Sequence, residues 1–215
     1  MKLFFKMCVA IGAVAALVMA GNVRADEQSP VDLVKTRITQ LQQDTHGRAA
    51  EFKQHPNELR DLLAKNISPI ADFPRISQMV MGRYNRLASP EQRAHFARVF
   101  EKSTIDTLTQ GLLSINYDSL EVNNLNQQQR YDDQANVSAE VKGTNGQNYP
   151  VSFTMSKRTG EWKVINVIVN GINLGLTFRN QFDQSMRQHN RDFDAVINNW
   201  DPSQAIDKIQ DGGDS

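Results

Sequence analysis

Residues Gln134 to Val169 read QANVSAEVKGTNGQNYPVSFTMSKRTGEWKVINVIV, and their period decides the fold. Ala135, Val137, Ala139 and Val141 alternate with polar residues, and Tyr149, Val151, Phe153 and Met155 do so again. A period of two is that of a strand with one apolar face. Gly143 to Gly146 and Lys157 to Gly160 supply the turns, so the stretch predicts consecutive antiparallel hairpins. Pro150 falls off the apolar register and marks an edge or a bulge. The last segment breaks the rule, because Trp162 and Val164 are followed by Ile165, Val167 and Val169, apolar on both parities. Such a strand is buried on both faces or kinked by a bulge. Leu120 and Val122 begin an earlier strand, which makes a sheet of about four.

The flanks are helical. Ser29-Pro30 opens a segment with Val31, Val34, Ile38 and Leu41 at helical spacing. Pro56 opens a second with Leu59, Leu62 and Leu63, closing near Ile67. Ile76, Met79, Val80 and Tyr84 form a short third face, for which Asp72 is the expected cap. Ser89-Pro90-Glu91-Gln92 has the capping-box pattern and begins a long amphipathic helix through Phe96, Val99, Phe100, Leu108, Leu112 and Ile115 to about Tyr117. After the sheet, Gly171 turns the chain and Asn173 caps a helix carrying Leu176, Phe178 and Phe182. Phe193, Val196, Ile197 and Trp200 make one more stripe, and Asp211 to Ser215 fray. Helices, a strand meander and helices again predict an α+β fold, with helices packed on an antiparallel sheet.

The N-terminus predicts the compartment. Lys2 and Lys6 precede the uncharged run Met7 to Ala20, and Val23-Arg24-Ala25 places small residues before Asp26. That is the pattern of a cleaved secretory signal peptide over 1–25, leaving one domain over 26–215, with an uncleaved N-terminal anchor as the alternative. The only cysteine, Cys8, lies inside the leader, so the mature segment offers no disulfide, thiolate metal ligand or cysteine nucleophile. An exported chain without cysteine suits a bacterial periplasm. The whole chain has 24 basic and 24 acidic residues, and removing the basic leader leaves a small acidic excess. That argues against nucleic acid as a partner.

Reactive groups are scarce. His46, His55, His95 and His189 show no metal-ligand spacing, and no nucleophile-elbow or phosphate-loop motif occurs. Gly171 and Gly175 lack the context of a dinucleotide site. Apolar side chains are abundant instead, and an ordinary core and a lipid-holding wall look alike in one sequence. An exported enzyme acting on an apolar substrate is the competing reading, with Asp72 as its acid; a periplasmic adaptor docking only proteins is a third.

Three blocks in register carry a family resemblance: Pro69-Ile70-Ala71-Asp72-Phe73 through Met81-Gly82-Arg83-Tyr84; Ala88-Ser89-Pro90-Glu91-Gln92-Arg93 with Phe96 and Phe100; and Trp162-Lys163-Val164, Val167, Gly171 and Leu174 through Arg179-Asn180-Gln181-Phe182. Their order resembles the MlaC family of periplasmic phospholipid-binding proteins, also called toluene-tolerance auxiliary components. The resemblance implies a curved sheet and helices enclosing an apolar cavity, and lipid transport without catalysis or cofactor, the phospholipid being cargo. It implies as partners an outer-membrane lipoprotein–porin complex and an inner-membrane ABC transporter with an MCE-domain subunit. On that reading Val151, Phe153, Met155, Val164, Val167, Val169 and Ile172 line the lipid tails from the sheet, and Tyr84, Phe96, Phe100, Leu108 and Leu112 form the opposing wall. Arg83 and Arg86 are candidate phosphate contacts. The chain departs from the family where Asn166 and Asn170 replace acids, and where Leu108 replaces an aromatic and would enlarge the cavity.

Overall fold

The computed structural model describes residues 28–114, 121–142 and 148–203. The leader, the helix end at Ile115 to Tyr117, Leu120, the Gly143 to Gly146 turn and the 211–215 tail lie outside the described residues. Five helices come first: α1 Pro30–Thr45, α2 Ala49–Gln54, α3 Pro56–Ile67, α4 Phe73–Met81 and α5 Pro90–Ser114, with a 3-10 turn over Gly82–Arg86. The strands β1 Glu121–Tyr131, β2 Gln134–Lys142, β3 Asn148–Ser156, β4 Lys163–Val169 and β5 Ile172–Asn173 follow, then α6 Leu174–Gln188 and α7 Phe193–Asn198. The architecture is α+β, as the periodicity predicts.

Local chemistry sets the helix starts. The Oγ of Ser29 accepts from the Asp32 amide at 3.1 Å, and the Asp72 carboxylate accepts from the Arg75 amide at 3.1 Å. At α5 the box closes in both directions: the Gln92 amide donates to Ser89 Oγ at 3.2 Å, and the Ser89 amide donates to Gln92 Oε1 at 3.1 Å. Each bond satisfies an amide that the first helical turn leaves without a partner. Asp192 does the same for α7, so the acids beside His189 are partly structural caps.

The sheet is an open meander in the order β1-β2-β3-β4-β5, every neighbour antiparallel. Ala71 adds a short parallel bridge beside Val164, whose amide donates to the Ile70 carbonyl at 2.7 Å. β1 is longer than the sequence suggests, because its polar run Asn126 to Arg130 has no apolar alternation to reveal it. α2 was not expected either, having only Phe52 buried. Pro150 is neither at an edge nor at a bulge: it lies in β3, opposite Glu140 of β2. Its carbonyl accepts from Asn170 at 2.8 Å, so its other side faces the end of β4, where no ladder donor is required.

The double parity of β4 resolves as a bulge. Thr154 pairs with Asn166 and Met155 with Val164, leaving Ile165 as the extra residue. Val164, Val167 and Val169 therefore share one face although their spacing is not uniform. The β4–β5 connection is the two-residue turn Asn170-Gly171, both at positive φ (49° and 79°), with Val169 opposite Ile172. Asn-Gly favours this hairpin geometry because both residues tolerate the left-handed region.

Candidate functional site

The register brings most of the expected sheet residues into rows. Ala135, Met155 and Val164 lie side by side across β2, β3 and β4, then Val137, Phe153 and Val167, then Ala139, Val151 and Val169, with Ile172 extending the last row onto β5. None of these side chains is ionisable. The alternate face carries Asn136, Thr154 and Asn166 in one row and Ser138, Ser152 and Ile168 in the next, so it is mostly polar.

Burial is graded along the apolar face. The first row is sealed: Ala135, Met155 and Val164 are buried, and Met155 and Val164 pack with Val34 of α1 and with Val137. Phe153 and Val167 in the second row are only partly buried, as are Val151, Val169 and Ile172 in the third. α1 contributes Val31, Leu33 and Ile38 to the edge of this group, and Leu125, Ile70 and Trp162 close its sides.

Leu108 and Leu112 on α5 are also partly buried, beside a separate cluster of Phe52, Leu59, Leu63 and Ile105. α1 reaches that cluster through Leu41, so one helix borders both half-open apolar groups. α1 also carries Arg37, whose Nε is sealed from solvent and has no hydrogen-bond partner. Arg37 was not among the expected site residues. Its place in the stripe, three after Val34 and four before Leu41, is the signal that finds it.

Tyr84, Phe96 and Phe100 lie elsewhere, in a cluster with Phe73, Phe178, Phe182 and Trp200. Phe96 meets Phe182 at 4.9 Å and Trp200 at 5.2 Å between ring centroids, and Phe100 meets Phe178 at 5.4 Å. The structure therefore does not bring these three residues together with the sheet rows. It packs them among α4, α5, α6 and α7.

The polar residues are accounted for differently. Arg83 is exposed and donates to the Asp183 carboxylate at 2.6 Å and to the Tyr84 hydroxyl at 3.1 Å. The Tyr84 hydroxyl and Asp183 together hold the Arg83 guanidinium above its ordinary range. Arg86 is exposed at the end of the 3-10 turn. Asp72 is engaged as the α4 cap. Asn166 Oδ1 accepts from the Gly175 amide at 3.0 Å, where α6 begins. A Cβ on Gly175 would stand 2.5 Å from that oxygen, so the close approach requires glycine. Among the described residues, no group of three or more His, Cys, Asp or Glu is placed to hold a metal, and no helix is long and apolar enough to cross a membrane.

The family model for the MlaC protein matches residues 35–201. The chain is 37% identical over 176 residues to the toluene tolerance protein ttg2D of Pseudomonas putida, covering 80% of each. It is 24% identical over 153 residues to the intermembrane phospholipid transport system binding protein MlaC of Haemophilus influenzae, covering 69% of this chain and 70% of that one. A phospholipid-binding protein from Ralstonia solanacearum, solved in complex with a phospholipid, shares the fold with a TM-score of 0.68 at 22% identity, covering 84% of this chain and 97% of that one. By the family match and the ttg2D identity, the chain belongs to the MlaC protein family.

Proposed function

We propose that this protein is a periplasmic phospholipid carrier, moving lipids between an outer-membrane lipoprotein–porin complex and an inner-membrane MCE-domain ABC transporter and so maintaining outer-membrane lipid asymmetry. The observation that carries the reading is the graded apolar face in a member of this family. Val151, Phe153, Val167, Val169 and Ile172 form one wall without an ionisable group, yet none of them is sealed. Leaving such a wall wet forgoes about 25 cal/mol for each Å² of apolar surface. Acyl chains laid on it recover that loss. The relative from Haemophilus influenzae, named as a phospholipid transport binding protein, supports the same cargo.

The physics of transit agrees with a site that has no reactive group. Exposing a lipid tail to water costs roughly 0.8 kcal/mol per methylene, so crossing an aqueous space requires a sheath. Transfer between bilayer and an apolar wall is near neutral in hydrophobic terms, so loading and release are both accessible. In this reading the half-buried sheet rows, with Leu108 and Leu112, touch tails. Met155 and Val164 close the deep end, and Tyr84, Phe96 and Phe100 belong to the separate aromatic cluster.

Purification without detergent, organic extraction and mass spectrometry tests the cargo. Glycerophospholipid in stoichiometric amount is the expected result; a lipid-free preparation that also takes up none from vesicles would overturn the reading.

A further inference from the structure

We infer that Arg37 is the residue that holds the phosphate oxyanion of the bound lipid; the inference rests on the carrier reading above. Arg37 lies on the inward stripe of α1, between Val34 in the sheet-side cluster and Leu41 at the edge of the helix-side cluster. Val34 and Leu41 are about 10 Å apart along the axis, so Arg37 stands between the two half-open apolar groups. Arg37 is only partly buried, but its Nε is sealed without a hydrogen-bond partner, and it takes part in no ion pair among the described residues.

Among the described residues, no carboxylate is paired with it. α1 packs against α3, β1 and β2. On α3, Glu58 is paired with Arg48, and Asp61 is highly exposed beside Arg60. On α1 itself, Asp32 is bonded to Ser29 and Asp44 accepts from Gln40. Glu140 of β2 stands opposite Pro150, in the parity of the alternate sheet face. A cation so isolated beside two apolar walls suits a ligand with one anionic group and long apolar chains. Arg pairs with phosphate through parallel N–H bonds, which fixes orientation as well as affinity. Arg83, by contrast, already has its anion in Asp183.

The test incubates the full chain with phosphatidylglycerol vesicles and, separately, with phosphatidylcholine vesicles containing tracer diacylglycerol of the same acyl chains, which lacks the phosphate. Lipid retained per protein is counted after gel filtration. Arg37→Gln should lower phosphatidylglycerol retention about tenfold, the loss of one charge-assisted contact, and leave diacylglycerol retention unchanged. Arg37→Lys should recover part of the loss. Lipid-free Arg37→Gln should melt no lower than the parent, because it loses an unpaired cation; a lower melt would assign Arg37 a structural role and overturn the inference. Unchanged phosphatidylglycerol retention, or equal loss of both lipids, would overturn it while leaving the carrier reading intact. Failure of the parent to retain either lipid would overturn the carrier reading and the inference together. Inorganic phosphate forms the remaining arm: if millimolar phosphate binds the lipid-free parent but not Arg37→Gln, the free ion is the ligand and the headgroup assignment falls.

Discussion

Two apolar regions of this protein have nearly the same chemistry and opposite packing. In the aromatic group, Phe96 and Phe182 are fully sealed, and their rings meet Phe100 of α5, Tyr84 of the 3-10 turn and Trp200 beyond α7. On the sheet, Phe153 is a ring of the same kind and stays half-open. Side-chain type does not separate them; the supply of opposing surface does. Around the rings, α4, α5, α6 and α7 converge from several directions. Over the sheet, α1 meets β1 and β2 while α4 and α6 meet β4, and the far-row residues of β3 and β4 stay only partly buried. One region is closed, and the other leaves apolar surface half-open.

Phe96→Ala should break the closed region most severely. It removes a fully buried ring in contact with Phe100, Phe182 and Trp200, at an expected cost of about 3–5 kcal/mol in urea unfolding. Lipid retained per folded molecule should hold steady. A cost under about 1 kcal/mol would show that this region is also slack. Val167→Trp probes the open region in reverse. Space beside a half-buried residue should admit the ring with a change of about 1 kcal/mol or less, while bound phospholipid falls sharply. Normal loading in that variant would place the tails elsewhere.

Asn166→Asp sharpens the boundary between sheet and helix. The side chain already accepts from Gly175 at the start of α6, and a negative charge there is favoured by the helix dipole. A gain of about 0.3–1 kcal/mol is expected in urea unfolding, decreasing with added salt. Loss of stability would mean that desolvating the charge outweighs the dipole. The smallest effect belongs to the tie between α3 and α5. Burial opposes ionisation of Asp106, but hydrogen bonds from Lys102 and Arg60 outweigh it and lower the carboxyl below its ordinary range. A lowered folded value gives stability that is present above the unfolded value, about 3.9, and is lost as pH falls through the folded one. The group is about a third exposed, so this amounts to no more than a few tenths of a kcal/mol. Parent and Asp106→Asn melts measured from pH 6 to pH 2 should converge at the acid end; a constant difference across that range would remove Asp106 from the acid sensitivity.

The sequence by itself determined the features whose partners are close in the chain. Ser29, Asp72, Ser89 with Gln92, and Asn173 each cap a helix through a bond spanning three residues, so their types and spacing suffice. The alternation of β2 and β3 was legible for a similar reason: one apolar and one polar face impose a period of two. The turn at Asn170-Gly171 likewise follows from local backbone preference. Only the tertiary structure decided which parity of β4 faces α1, because the bulge at Ile165 depends on the register against β3. It also decided that Tyr84 is sealed while Val151 is half-open, and that Arg37 Nε is sealed without a hydrogen-bond partner. Burial and pairing depend on segments far away in the chain, and a residue's own type says what it would prefer without saying what stands opposite it.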